Sequence, residues 1–357
     1  MLYRALLLVS LLCTSAAHAQ ESPNGIPVEA RVHPGAELVS IGLWLSSSYA
    51  TPMESQYKSD VWAHFGPHAD HPGLDSLRTA RMYPDFTEVG LLLDGFPDAS
   101  FTLPDSLSWY ERYGTAGVEA MLNGLLAFAR DADFWGFFQR HEADYSRWAS
   151  GAETSLRAGG SLDAIDAFFR YDQNRARPTL VVLMEPLNGW GAHAVTVPAL
   201  LGNVGGAGTV AYQAGPAYGG RRLPDADLSF ARDNGALAWH EAAHHYLIDP
   251  LDAHVEAIAG LERLFDAENP DLQGQNISTW DYAFEENLVR AIVVVLTGAE
   301  RGEEAFTRRI QQQEARGFAY VGTLAHLIRD EYVANAAQYA TFADFMPAIL
   351  SHMRSLE

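Results

Sequence analysis

His240-Glu241-Ala242-Ala243-His244-His245 is the stretch on which the reading of this chain turns. It lies in a proline-free run from Asn234 to Ile248, rich in Ala, Leu, Trp, Glu and His, which predicts a helix. The helix is expected to end at Asp249-Pro250, because the residue before a proline is pushed out of the α region. Positions four apart lie one above the other on a helix face. His240 and His244 can therefore offer two imidazole nitrogens to one ion. Glu241 sits about 100° round from His240, near enough to reach a water on that ion without ligating it. Zinc hydrolysis needs this pattern: open coordination for a water, and a carboxylate to take its proton. The bland alternative is a surface helix with incidental histidines. Against it, Leu237, Trp239, Tyr246 and Leu247 make the surroundings apolar or aromatic, and two histidines on such a helix need buried partners.

A catalytic zinc centre takes three protein ligands and keeps one position open. No His-x-x-Gly-x-x-His continuation follows the motif, and His254 is not at that spacing. A glutamate from a later helix is the natural third ligand, and Glu256, Glu262, Glu285 and Glu286 are the candidates. Spacing alone favours Glu262, but its helix reads as half solvated. Glu286 sits in Phe284-Glu-Glu-Asn-Leu-Val-Arg-Ala-Ile-Val-Val-Val-Leu, a helix destined for the core. A carboxylate there needs a partner, and a metal would be one. Glu286 therefore ranks first, Glu262 second and Glu285 third. An ion pair between Glu286 and Arg290 at i+4 is the alternative for that carboxylate.

Outward from the motif, Val28 to Leu45 reads as a strand pair turning at His33-Pro34-Gly35. Tyr57 to Phe65 reads as a helix. His64, His68 and His71 follow at metal-like spacing, but Gly66-Pro67 interrupts them, so they read as loop and helix-start histidines. Leu74 to Met82 and Val89 to Leu93 read as helical pieces. Ala116 to Ala132 is an amphipathic helix, and Asp133 to Ala152 continues as an aromatic-rich one whose stripe is core. Leu162 to Phe169 is another helix. Pro178 to Met184, His193 to Val197 and Thr209 to Gln213 read as strands, with Gly202 to Gly208 as a hairpin connection. After the motif, helices are expected over Ala253 to Glu268, Asp281 to Leu296, Glu303 to Arg316, Gly322 to Asn335 and Phe342 to Met353. The fold class is therefore α+β, mainly helical, with a small antiparallel sheet packed beside the HExxH helix. A helical N-terminal region (28–175) and a metal-bearing region (176–357) are expected to share one core.

The chain has 357 residues, 48% of them apolar, enough for a substantial core. Its net charge of −21 and pI near 4.9 argue against nucleic acid and anionic membranes as partners. Residues 1–19 read as a secretory signal peptide: Arg4 supplies the positive start, Ala5 to Cys13 the apolar stretch, and Ala17-His18-Ala19 the cleavage site. The expected location is the periplasm or the exterior. Cleavage would remove Cys13, the sole cysteine, so cysteine catalysis and cysteine ligation are excluded. No other apolar run reaches membrane-spanning length.

Several stretches together resemble one family. Val32-His-Pro-Gly-Ala-Glu-Leu-Val-Ser-Ile, Ala69-Asp-His-Pro-Gly-Leu, Leu187-Asn-Gly-Trp-Gly, His240-Glu-Ala-Ala-His-His, Glu286-Asn-Leu-Val-Arg-Ala, Gly317-Phe-Ala-Tyr and Tyr339-Ala-Thr-Phe-Ala-Asp-Phe-Met-Pro occur in this order. They resemble the bacterial domain-of-unknown-function 4932 family, secreted proteins with a gluzincin-like HExxH, over nearly all of the chain from Val28 to Met353. The resemblance implies a zincin-like fold and Glu286 as third ligand. It names no substrate.

The reading that follows is a zinc metallopeptidase acting on a peptide or protein. Zn²⁺ is expected on His240, His244 and Glu286. Glu241 is expected to take the proton of a water on the zinc and pass it to the leaving amine. Tyr320, then His326, are the candidates to stabilise the oxyanion. Asp249 or Asn287 is expected to hold the far nitrogen of a ligand histidine. The strand over Thr209 to Gln213, or that over Ala194 to Val197, is the candidate edge for an extended peptide. The competing classes are a zinc hydrolase of another bond and a non-catalytic periplasmic binding protein with a structural metal site. A retained Glu241 argues against the last, because a structural site has no use for a general base.

Overall fold

The computed structural model describes residues 28–46, 55–79, 89–105, 110, 113–158, 161–170, 180–187, 193–195, 208–212, 235–275 and 277–356. Residues 1–19, read above as a signal peptide, the 202–207 connection and residues 213–234 lie outside them. In chain order the elements are β1 (Val28–Arg31), α1 (Pro34–Leu45), α2 (Gln56–Phe65), α3 (Asp75–Thr79), β2 (Leu93–Asp94), β3 (Ser100–Phe101), α4 (Thr115–Asp131), α5 (Phe134–Arg140), α6 (Glu142–Ala158) and α7 (Ser161–Phe169). Then come β4 (Leu180–Met184), β5 (His193–Val195), β6 (Gly208–Tyr212), α8 (Gly235–Asp252), α9 (Val255–Ala259), α10 (Pro270–Gln273), α11 (Trp280–Arg301), α12 (Glu303–Glu314), α13 (Val321–Leu327) and α14 (Met346–Arg354). The protein is mainly helical, with a small sheet, as expected. Among the described residues no helix is long and apolar enough to cross a membrane.

The expected strand pair at the start is half strand and half helix. After β1, His33 caps α1, its Nδ1 accepting the N–H of Ala36, and Pro34 takes the first helical turn. An apolar run is compatible with a buried strand or a buried helix, and here the cap and proline decide for the helix. Gly35 is required as well, because a Cβ there would overlap the carbonyl of Gly90.

The sheet is mixed rather than antiparallel. Its order is β1-β4-β6-β5, with β1 parallel to β4 and β4 parallel to β6. Only β5 runs antiparallel, along β6. The long crossover of α1 to α7 between β1 and β4 is what a parallel pair needs. β6 is therefore internal, and among the described residues β5 and β1 are the outer strands. The first candidate edge, in the strand Gly208–Tyr212, is paired on both sides and so presents no edge to a peptide.

Other elements break where polar or backbone constraints intervene. His141 separates α5 from α6 within the aromatic stretch. The helix expected over 253–268 is the short α9 followed by a single turn at Glu262–Leu264. The metal-motif helix continues past Pro250 to Asp252, its last turn carrying a proline that costs one bond. The π-helical segment Ile328–Val333 extends α13. Of the three spaced histidines, His64, in the last turn of α2, bonds the carbonyl of Ala132, and His71 pairs with Asp131 and caps Gly73.

Position of the site follows from three packings. α11 is sunk in the core, with Leu288, Val289, Ile292 and Val294 fully buried. α8 lies against α11 on one side and α7 on another, and also touches β5 and β6. Phe169 stacks on Tyr246 at 4.6 Å, and the Tyr246 hydroxyl donates to Asp166 at 3.1 Å, which fixes α8 to α7.

Candidate metal centre

α8 and α11 bring one polar cluster into an otherwise apolar contact. His240 Nε2 and His244 Nε2 are 3.3 Å apart. From α11, Glu286 Oε1 lies 3.5 Å from His244 Nε2, and Glu286 Oε2 lies 3.8 Å from His240 Nε2. The one metal-capable group of three or more such side chains among the described residues is His240, His244 and Glu286. Metal–ligand bonds of about 2.0–2.1 Å in a tetrahedron set donors about 3.3–3.4 Å apart. The two imidazole nitrogens stand at that spacing, each faces a different oxygen of Glu286, and one donor atom from each of the three residues lies within 4.8 Å of the others. The donor set, two neutral-capable imidazoles and one carboxylate, suits zinc. Glu286 is only 5% exposed, and its Oε2 has no partner in hydrogen-bond geometry, although the Arg290 guanidinium faces it at 2.9 Å as an ion pair. These residues fit a zinc ion.

The surroundings tune each group. Burial would lower the pKa of His244, but hydrogen bonds to Glu285 and Glu286 hold it up, to about 10. Burial pushes His240 well below its ordinary value, against the pull of Glu286. For Glu286 burial works upward, yet His244, His240 and Arg290 hold the carboxyl far below the usual range. Glu241 is 3% exposed and makes no hydrogen bond among the described residues; burial raises it to about 7, with His244 opposing.

Glu285 holds the far side of His244, accepting from Nδ1 at 2.7 Å. It is therefore the orienting partner and not the ligand, and neither Asp249 nor Asn287 has that role. Asp249 is exposed near the end of α8. Asn287 ties α11 to the following segment instead, donating to Ala283 and accepting the N–H of Tyr320. Glu262 is exposed on its turn and Glu256 is exposed on α9, so neither reaches the cluster. The ion pair between Glu286 and Arg290 does form, beside the histidines rather than in place of them. Arg290 Nη1 also lies 3.3 Å from His240 Nδ1, and its guanidinium covers the Phe318 ring at 3.9 Å.

The expected oxyanion donors are occupied elsewhere. The Tyr320 hydroxyl donates its single proton to the carbonyl of Leu264 at 2.6 Å, a packed tyrosine. His326 faces Arg329 at 3.0 Å and the Phe306 ring. Tyr282 was not singled out by sequence reasoning. It lies one turn before Glu286 on α11, is 42% exposed, and its hydroxyl pKa is raised by burial and by the charges of Glu286 and Glu285. It thus remains a proton donor at neutral pH. The signal that finds it is its i−4 spacing from Glu286.

Residues 222–352 match the model of the family described as Domain of unknown function (DUF4932). The match contains the HExxH helix, the Glu286 helix and α13, while the resemblance read over Val32 to Leu74 and at Leu187 falls outside it. No curated protein matches the chain. No solved structure matches it.

Proposed function

We propose that the protein is a zinc-dependent peptidase of the periplasm or the exterior, with His240, His244 and Glu286 as metal ligands and Glu241 as general base. The observation that carries this reading is the buried cluster of His240, His244 and Glu286, whose donor atoms come within 4.8 Å of one another, beside the buried carboxylate of Glu241 on the helix of the two histidines. A zinc ion bound there supplies Lewis-acid polarisation of a carbonyl and of a water. The Glu241 carboxylate takes the proton of that water and delivers it to the leaving amine nitrogen; an affinity for protons raised by burial suits that exchange near neutral pH. Glu285 keeps His244 in the tautomer that presents Nε2. Tyr282 replaces Tyr320 as the donor to the substrate oxygen. β5, the outer strand among the described residues, is the edge for an extended peptide.

The test compares wild type with Glu241→Gln. Wild type should hold about one zinc per chain and cleave a mixed peptide library, and the variant should keep the zinc and lose cleavage by roughly 10³-fold or more. Loss of the metal from the variant, or unchanged cleavage, removes Glu241 from this role.

A further inference from the structure

We infer that Arg290 is a positioning residue that occupies one oxygen of Glu286 and so restricts this carboxylate to a single donor atom. The inference rests on the metal-centre reading above. A carboxylate can grip an ion through one oxygen or chelate it through both, and the second mode fills the position a substrate needs. Here the two oxygens are not equivalent. Oε2 faces Arg290 Nη2 at 2.9 Å, closer than its 3.8 Å to His240 Nε2, and Oε1 lies 3.5 Å from His244 Nε2. The guanidinium cannot swing away freely. It lies over the Phe318 ring at 3.9 Å, Phe318 is fully buried, and the i+4 spacing on α11 puts it directly above Glu286. Its Nε is buried without a hydrogen bond, so the side chain is aimed by the stack and the carboxylate rather than by a wider network. The contact with His240 Nδ1 at 3.3 Å is the weaker hold. When Nε2 serves an ion, Nδ1 carries the proton and cannot accept from a guanidinium, which only donates. The ion pair with Glu286 is then the hold that remains. Arg290 also offsets the charge of Glu286, so a loaded centre keeps more of the ion's positive charge for the substrate.

Cobalt substitution reads this without requiring turnover. Four-coordinate Co²⁺ absorbs visible light strongly, and five- or six-coordinate Co²⁺ absorbs weakly. Wild type is expected to give the intense spectrum, and Arg290→Gln to bind cobalt with a severalfold weaker one as Oε2 joins the ion. An unchanged spectrum in Arg290→Gln overturns the inference. So does a weak spectrum in wild type, a result that needs no variant to fold. Failure of wild type to bind cobalt or zinc at all is a different outcome, which overturns the metal-centre reading on which the inference stands.

Discussion

At the scale of single residues, the site is an arrangement of protons as much as of ligands. Glu285 accepts from His244 Nδ1 at 2.7 Å and thereby decides which nitrogen faces the cluster. Removal of such a partner weakens metal binding by about 10–100-fold. Glu285→Ala should show that loss in a zinc competition titration while Glu256→Ala does not; equal affinities would place the orienting group elsewhere. A second buried carboxylate makes a pH prediction. Burial raises Glu37 from 4.5 to about 8, the hydroxyl of Tyr57 opposing at 2.6 Å and the charge of Glu185 adding. The folded state thus favours the neutral acid. Its stabilising effect is full below about pH 4.5 and is lost as pH rises to about 8, by roughly 1.4 kcal/mol per pH unit. Glu37→Gln should therefore melt above wild type at pH 8 and close to it at pH 4. Of the residues at the site, His240, Glu241, His244 and Glu286 were legible because helical spacing and a carboxylate in an apolar run are local signals. Tyr320 was misread because nothing in Gly317-Phe-Ala-Tyr shows that Leu264 takes its hydroxyl.

At the scale of elements, α11 carries the centre because it is buried on nearly every side. Leu288, two residues after Glu286, is fully buried on the opposite face of the helix and anchors α11 in the core. Leu288→Ala should cost about 2–5 kcal/mol in denaturant unfolding, and its zinc affinity should fall with it; a cost below about 1 kcal/mol would mean that the contact repacks. The helices were legible wherever an apolar period of 3.6 ran uninterrupted, as in α4 and α11. α1 was not, since its residues are buried on all faces and leave no period to read. The direction of the sheet was illegible for a related reason: short apolar strands look alike, and parallel pairing depends on the crossover between β1 and β4. The split of the 253–268 helix mattered most for the site, because it carries Glu262 out to solvent.

At the scale of the whole molecule, buried apolar residues from Val28 to Met353 form one cluster among the described residues. β1 pairs with β4, α6 packs on β1, and α7 supports α8. The segment matching the family, residues 222–352, thus contains the ligands but lacks α7, whose Phe169 and Asp166 hold Tyr246. Expressed alone, 222–352 should show no cooperative thermal transition, whereas 28–357 should; a sharp transition in the short fragment would show that the C-terminal helices form their own core. The central claim is the three-ligand centre, and the most direct measurement is elemental analysis of purified protein, wild type and Glu286→Ala side by side. The account predicts about one zinc per wild-type chain and little or none in the variant. Zinc retained in the variant would contradict Glu286 as ligand, and no zinc in wild type after reconstitution would contradict the centre itself.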